Sequence, residues 1–243
     1  MNLLLNCDLG EAAGSNQLAT ESEVMPFIDQ ANIACGFHAG NPQIMDQTLL
    51  LAKQYGVMVG AHPSYPDKFN FGRQSMTMAA PDLIACLNYQ ILNLEKKANQ
   101  HAMDLSYVKP HGALYNDMMI NGHLRSAVMA SVADSSCSTL MLQATVDRET
   151  HQQEAAIFGI QLIFEVFADR AYQDCGALVP RHQSGAVLDT EKMLTQVGQL
   201  KQSGSLTTIS GNTLELAADS LCVHGDNPQA VSKISQIRAI LKQ

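Results

Sequence analysis

Val57-Met58-Val59-Gly60-Ala61-His62-Pro63 is a short apolar run, partly β-branched, that stops on a histidine at a turn. The same grammar recurs along the chain. Ala31–Phe37 leads to His38 in Ala34-Cys35-Gly36-Phe37-His38-Ala39-Gly40, and Leu105–Lys109 leads to His111 in Val108-Lys109-Pro110-His111-Gly112. Ser220–Val223 leads to His224 in Cys222-Val223-His224-Gly225-Asp226, and Leu3–Cys7 leads to Asp8. With Thr139–Gln143 and Gln161–Val166 these make seven strand-like runs. They alternate with helical patterns at Glu21–Gln30, Pro42–Tyr55, Pro81–Gln100, Asp117–Ala133, Val146–Phe158, Thr190–Gln202 and Pro228–Leu241. Such alternation predicts parallel strands joined by crossover helices. The runs show no clean period of two, as expected of strands covered on both faces. Parallel α/β folds gather the ends of their strands on one face, and sites are built there. Four of the eight histidines, together with Asp8, therefore predict one polar site assembled from distant segments.

Local signals support the frame. Asn41-Pro42 and Asn227-Pro228 each offer an N-cap followed by Pro at the first helical position. Gly56 and Gly159 mark helix ends. Ser205–Leu216 reads as a hairpin turning at Gly211-Asn212. Two irregular stretches, Pro63–Thr77 and Ala168–Val187, follow strands and are expected to wall the site. The sextet His38–Gln43 is echoed by His224–Gln229; turn grammar accounts for the shared Asn-Pro but not for the shared histidine.

At 243 residues the chain suits one α/β barrel, and no linker or shift of composition divides it, so a single domain over 1–243 is expected. The apolar fraction of 46% and charged fraction of 16% describe a compact protein with a large core. A net charge of −8 argues against nucleic acid or an anionic membrane as partner. Leu3-Leu4-Leu5-Asn6-Cys7 lacks the basic and long apolar regions of a secretion signal and reads as the first strand. The six cysteines contain no C-x-x-C, and a reduced, cytoplasmic protein is the simplest expectation.

The residues with chemical potential sit at the strand ends. Asp8 and Glu11 follow the first run; a carboxylate there can act as general base or metal ligand, or simply order a turn. His38, His62, His111 and His224 suit proton transfer or metal binding. No H-x-x-x-H or H-E-x-x-H occurs, so a metal would need ligands from separate strands, such as Asp8, His38 and His62. Lys109 is a cation facing a carboxylate, phosphate or oxyanion, unless it already lies at an exposed strand mouth. Glu165, inside an apolar run, is expected to be paired or catalytic, and Asp169 follows it. Arg73, Arg170 and Arg181 lie in the long stretches, either as carboxylate or phosphate clamps or as loop-ordering ion pairs. No phosphate-binding G-x-x-x-x-G-K-[ST], no G-x-G-x-x-G and no G-x-S-x-G is present.

These motifs taken together resemble the LamB/YcsF family. The matching stretches are Asn6–Glu11, Ala31–Gly40, Gly60–Pro63, Phe71–Arg73, Tyr89-Gln90, Val108–Asn116, Glu165–Tyr172, Leu178–Arg181 and Cys222–Asp226. The chain departs from the family's pattern at Gln74, where a second basic residue is usual, and at Asn70, where Gly is usual. The resemblance implies a distorted seven-unit (β/α) barrel of the glycoside hydrolase/deacetylase type. It also implies hydrolysis of the cyclic amide 5-oxo-L-proline to L-glutamate, coupled to ATP hydrolysis and carried out with subunits B and C. Mg²⁺ would accompany the ATP, and homo-oligomerisation is left open. On this view Asp8, with His38 or His62, activates water, while Lys109 and His111 stabilise phosphate or oxyanion charge. Arg73, Arg170 or Arg181 holds the substrate carboxylate, and Glu11, Glu165, Asp169, His224 and Asp226 line the substrate. Two other functions remain open: a stand-alone metal-dependent deacetylase or amidohydrolase, and a non-catalytic substrate-binding subunit.

Overall fold

The computed structural model describes residues 2–11 and 15–243. In chain order its elements are β1 (Leu4–Leu9), α1 (Ser15–Val24), a 3₁₀ turn (Met25–Phe27), β2 (Gln30–Ala34), α2 (Pro42–Tyr55), β3 (Met58–His62), α3 (Ala80–Gln100), β4 (Leu105–Val108), α4 (Gly112–Ile120) and α5 (Gly122–Ala133). They continue with β5 (Thr139–Gln143), α6 (Arg148–Ile157), β6 (Gln161–Phe167), α7 (Thr190–Ser203), β7 (Ser205–Thr207), β8 (Thr213–Glu215), β9 (Ser220–Val223), α8 (Pro228–Val231) and α9 (Ile234–Lys242). Strands β1 to β6 and β9 close a barrel in sequence order. Every pairing in it is parallel, including the closing pairs of β9 with β6 and with β1. These are the seven expected runs. The expected hairpin is the antiparallel β7–β8 pair, packed outside the barrel against α7.

The caps explain why several helices fall where the sequence puts them. Asn41 accepts from the Gln43 and Ile44 amides, Pro42 opens α2, and left-handed Gly56 closes it by donating back to Ala52 and Lys53. Asp189 caps α7 through the Lys192 amide, and left-handed Gly204 ends it. Three helices differ from expectation. The pattern Glu21–Gln30 ends early because Pro26 opens a 3₁₀ turn and Gln30 already pairs in β2. The pattern Asp117–Ala133 is two helices, broken at Asn121, whose side chain accepts from the His123 and Leu124 amides and so starts α5. The pattern Pro228–Leu241 is likewise broken, between Val231 and Ile234.

The strands also alternate more than the sequence reading allows. Leu5, Cys7, Leu9, Ala31, Ile33, Val59, Ala61, Leu140, Leu142, Phe164, Val166, Leu221 and Val223 join the main apolar core with the helices. The intervening positions carry Asn6, Asp8, Gln30, Asn32, Tyr107, Glu165 and Ser220, all buried. The barrel interior is therefore a hydrogen-bonded polar network in place of the layers of branched aliphatic side chains that commonly fill such barrels. Asn6 Nδ2 donates to Ser220 Oγ at 2.7 Å and Ser220 Oγ to Gln30 Oε1 at 2.7 Å. Tyr107 donates to Asn32 Oδ1 at 2.6 Å.

One glycine sets this network's shape. A Cβ on Gly60 would lie 2.2 Å from Tyr107 Cε2, so the ring lies flush against the β3 backbone. Gly60→Ala is expected to push Tyr107 off Asn32 and to destabilise the fold by about 1–3 kcal/mol, as overpacking does. Urea denaturation reads it; an unshifted midpoint would show that the ring has room to move.

Candidate functional site

The C-terminal ends of the strands surround a cavity of about 530 Å³. Asp8 reaches its floor from the end of β1. Its Oδ1 accepts from Asn32 Nδ2 at 2.7 Å and from Lys109 Nζ at 3.0 Å. The Lys109 ammonium also meets Glu165 Oε2 at 3.1 Å, Asn6 Oδ1 at 3.3 Å and Cys222 Sγ at 3.2 Å. An ammonium has three hydrogens to donate. With four acceptors inside the barrel, Lys109 is occupied in holding Asp8 and Glu165. Burial opposes both charges, yet Lys109, and then His62 and His224, hold the Asp8 carboxyl well below the usual carboxylate range. Burial works against the Lys109 cation too, but Asp8, Cys222 and Glu165 raise it well above an ordinary lysine.

Beside this pair stands a group of three imidazoles around Glu11. Glu11 Oε1 lies 3.1 Å from His38 Nε2, 3.1 Å from His111 Nδ1 and 3.6 Å from His62 Nε2. His62 Nε2 is 3.0 Å from His111 Nδ1 and 3.6 Å from Asp8 Oδ2. The outer ring nitrogens rest on main-chain carbonyls: His62 Nδ1 on Lys109 O at 2.7 Å and His111 Nε2 on Phe71 O at 2.9 Å. Burial pushes His62 down to about 3, so it is neutral at ordinary pH. Burial also lowers His38. Burial opposes the Glu11 charge, but the His111 and His38 imidazoles against it hold its carboxyl below the usual range. Gly72 lets its loop lie on the group. Its φ is +64°, and a Cβ there would fall 2.9 Å from His38 Cβ and 3.0 Å from His111 Cδ2.

Across the floor, His224 donates from Nδ1 to Asp169 Oδ1 at 2.8 Å, and Asn227 Nδ2 donates to Asp169 Oδ2 at 2.9 Å. Burial opposes the charge on Asp169, but His224 and these hydrogen bonds bring its carboxyl down to about 2. The His224 ring stacks on Phe167, with centroids 5.2 Å apart. A ring nitrogen of His224, the Asp8 carboxylate and Cys222 Sγ lie within 4.8 Å of one another.

The long segments after β3 and β6 form the cavity mouth, as expected. Arg73 bonds Asp226 and lies over the Phe71 ring; Arg181 reaches the same carboxylate at 3.9 Å. Arg170 is buried and donates to the Ala186 and Val179 carbonyls at 3.3 and 2.6 Å. Burial, and then Arg181, lower its guanidinium to about 10. All three arginines line the cavity. Asp226 is the anion that Arg73 and Arg181 share.

Among the residues expected at the site, Asp8, Glu11, His62, Arg73, Lys109, His111, Arg170, Arg181, His224 and Asp226 line the cavity. Three expectations change. Glu165 and Asp169 are not in the lining: Glu165 braces Lys109 from inside the barrel and Asp169 braces His224. His38 stacks on His111 outside the lining, with parallel rings 3.8 Å apart. The metal-donor set Asp8, His38 and His62 is not the one assembled: Glu11 joins His38, His62 and His111, while Asp8 groups with Cys222 and His224. The physical reason is that Asp8 sits opposite Asn32 in the β1–β2 register, aimed at Lys109. Asn6, Asn32 and Tyr107 support the site without having been expected there. Their signal is a polar residue at every second position of an otherwise apolar strand. The echo between His38 and His224 resolves in part. Asn41 and Asn227 both cap helices, whereas the two histidines serve different carboxylates, Glu11 and Asp169.

A model of the LamB/YcsF family matches residues 3–243. The chain is 48% identical over 243 residues to the A-type 5-oxoprolinase subunit of Pseudomonas fluorescens (strain Pf0-1), covering 99% of this chain and 97% of that one. It is 46% identical over 242 residues to the A-type 5-oxoprolinase subunit of Vibrio cholerae serotype O1, covering 98% and 97%. Its structure superposes on the crystal structure of the lactam utilization protein from Thermus thermophilus with a TM-score of 0.87. That match has 31% identity and covers 100% of this chain and 97% of that one.

Proposed function

The chain belongs to the LamB/YcsF family, and from that premise we propose that it is the lactam-hydrolysing subunit of an ATP-dependent 5-oxoprolinase. The substrate is 5-oxo-L-proline and the product L-glutamate. The observation that carries this reading is the oriented His224–Asp169 pair facing ionised Asp8 beneath a mouth lined by three arginines.

The substrate carboxylate lies against Arg170 and Arg181, and the lactam carbonyl lies over the floor. Because the Nδ1 hydrogen of His224 is held by Asp169, Nε2 is the free base. Water between Asp8 and His224 gives its proton to Nε2 and attacks the carbonyl carbon. The tetrahedral adduct collapses, the ring C–N bond breaks, and the nitrogen takes the proton back as the amine of glutamate. Asp8 orients the water rather than accepting its proton, since Lys109 keeps it a weak base. An unstrained lactam is a poor electrophile, and phosphorylation of its amide oxygen beforehand makes the carbon attackable; C–N cleavage then leaves γ-glutamyl phosphate, which a second water hydrolyses to glutamate and inorganic phosphate. The cavity volume is within the range that holds drug-sized ligands, which leaves room beside a small lactam for that phosphate. With no phosphate-binding loop in this chain, the nucleotide site is assigned to subunits B and C. The same reading puts the complex in the cytoplasm, where ATP is available.

Glutamate release from labelled 5-oxoproline, with ATP and subunits B and C added or omitted singly, tests the reading. Turnover that requires every component supports it. Turnover without this chain overturns it. Turnover by this chain alone without ATP would favour the metal-dependent amidohydrolase, which the Glu11 and imidazole group keeps as the second reading. Within the first reading, Arg181→Gln is expected to raise KM for 5-oxoproline by about 10–100-fold with kcat little changed, the cost of one charged hydrogen bond. A fall in kcat at constant KM would remove Arg181 from substrate binding.

A further inference from the structure

We propose that Glu11, His62 and His111 form a binding site for one divalent cation of the zinc, cobalt or iron type. A main-chain carbonyl can only accept, so His62 Nδ1, 2.7 Å from Lys109 O, carries a hydrogen. His111 Nε2, 2.9 Å from Phe71 O, carries one for the same reason. With that one hydrogen on each ring, the opposite nitrogens, His62 Nε2 and His111 Nδ1, present lone pairs. They face each other at 3.0 Å, and the Glu11 carboxylate oxygen faces both. Three acceptors converge on one buried point with no donor between them among the described residues. Something positive must occupy that point: a shared proton or a metal ion.

Bonds of about 2.0–2.1 Å from a zinc-type ion to nitrogen or oxygen set tetrahedral edges of about 3.4 Å. The edges here are 3.0, 3.1 and 3.6 Å. The His62 and His111 rings stand at 85° to each other, so their lone pairs can converge on one ion. His38 is excluded from the set by the same geometry. Its ring lies parallel to His111 at 3.8 Å, and an ion in the plane of one ring is far from the plane of the other. His38 instead donates from Nε2 to Glu11 Oε1 and fixes the carboxylate. Carbonyls behind two imidazoles and a histidine behind the carboxylate form the outer support that metal ligands commonly have.

The three residues come from the ends of β1, β3 and β4, and all line the cavity, so the remaining coordination positions open toward it. Two imidazoles and one carboxylate suit borderline ions better than Mg²⁺ or Ca²⁺, which prefer oxygen-only sets. A cation there supplies a Lewis acid on the cavity floor beside Asp8.

This inference does not rest on the proposed lactam chemistry, and its test does not use activity. The full-length chain, treated with chelator and dialysed, is mixed with Co²⁺ and then with Zn²⁺. The expected result is one equivalent of Co²⁺ by calorimetry, visible d–d absorption of a four- or five-coordinate nitrogen–oxygen site, and loss of that absorption on adding Zn²⁺. Glu11→Gln and His62→Asn, checked for folding by circular dichroism, are expected to abolish the absorption. His38→Gln is expected to retain one equivalent with affinity lowered about 10–100-fold. Wild-type protein that binds neither ion would overturn the proposal and leave the proton as occupant. So would binding undiminished in both folded ligand variants.

Discussion

Asp8→Asn is expected to lower kcat for glutamate formation by about 10²–10⁴-fold, the usual contribution of a group acting on the proton-transfer step. Asn preserves the shape of the side chain, and its carbonyl still accepts from Asn32 and Lys109. Lys109 also keeps Glu165 as a charged partner. The fold should survive, and KM should change little, because the arginines bind the substrate elsewhere in the cavity. What the variant lacks is the negative charge that orients water opposite His224 and stabilises the imidazolium formed when His224 takes the proton. The measurement is steady-state glutamate release in the reconstituted three-subunit complex, paired with a thermal melt of the isolated chain. A kcat within tenfold of the wild type, in a protein that melts normally, would remove Asp8 from the reaction.

How much of this was legible in the sequence depends on the range of the interaction that decides it. The seven strands and the bounds of α2 and α7 were legible because their signals are local: a cap, a proline at the first turn, a left-handed glycine. The gathering of His62, His111, His224 and Asp8 at one cavity followed from strand ends alone. Partners were not legible. Asp8 pairs with Lys109, and Glu11 with three histidines, because of which strand lies beside which and in what register. His38 follows its strand like the others, yet β2 ends at Ala34 and the turn through Gly36 carries its ring behind His111. Glu165 and Asp169 lie four residues apart on one segment and brace two different groups, one inside the barrel and one behind its rim. Alternation within β1, with Asn6 and Asp8 between Leu5, Cys7 and Leu9, and within β2, with Gln30 and Asn32 about Ala31, was the local sign that the interior is polar.

That polar interior carries the largest expected effect on stability. Lys109→Met should destabilise the chain by about 3–5 kcal/mol at neutral pH, the cost of leaving a buried charge without its partner. For a chain of this size that lowers Tm by about 6–20 °C. The sign of the pH dependence follows from the two shifts. Asp8 is held below its ordinary value, so its contribution is present above about pH 4 and is lost as pH falls through the folded value. Lys109 is raised above its ordinary value, so its contribution is present below about pH 10 and is lost only as pH rises through the folded value. The pair therefore stabilises the fold fully across the neutral range. In the variant the largest offset to the burial of Asp8 is gone and the carboxyl protonates more readily, so the gap to the wild type should narrow on acidification toward pH 4. Denaturant melts at pH 7 and pH 4 measure it. A gap of equal size at both would assign the loss to packing of the lysine stem instead of charge. The double variant Lys109→Met with Glu165→Gln separates the two directly: it restores the net charge of the group, and recovery of a substantial part of the lost stability is the result that charge, and not volume, requires.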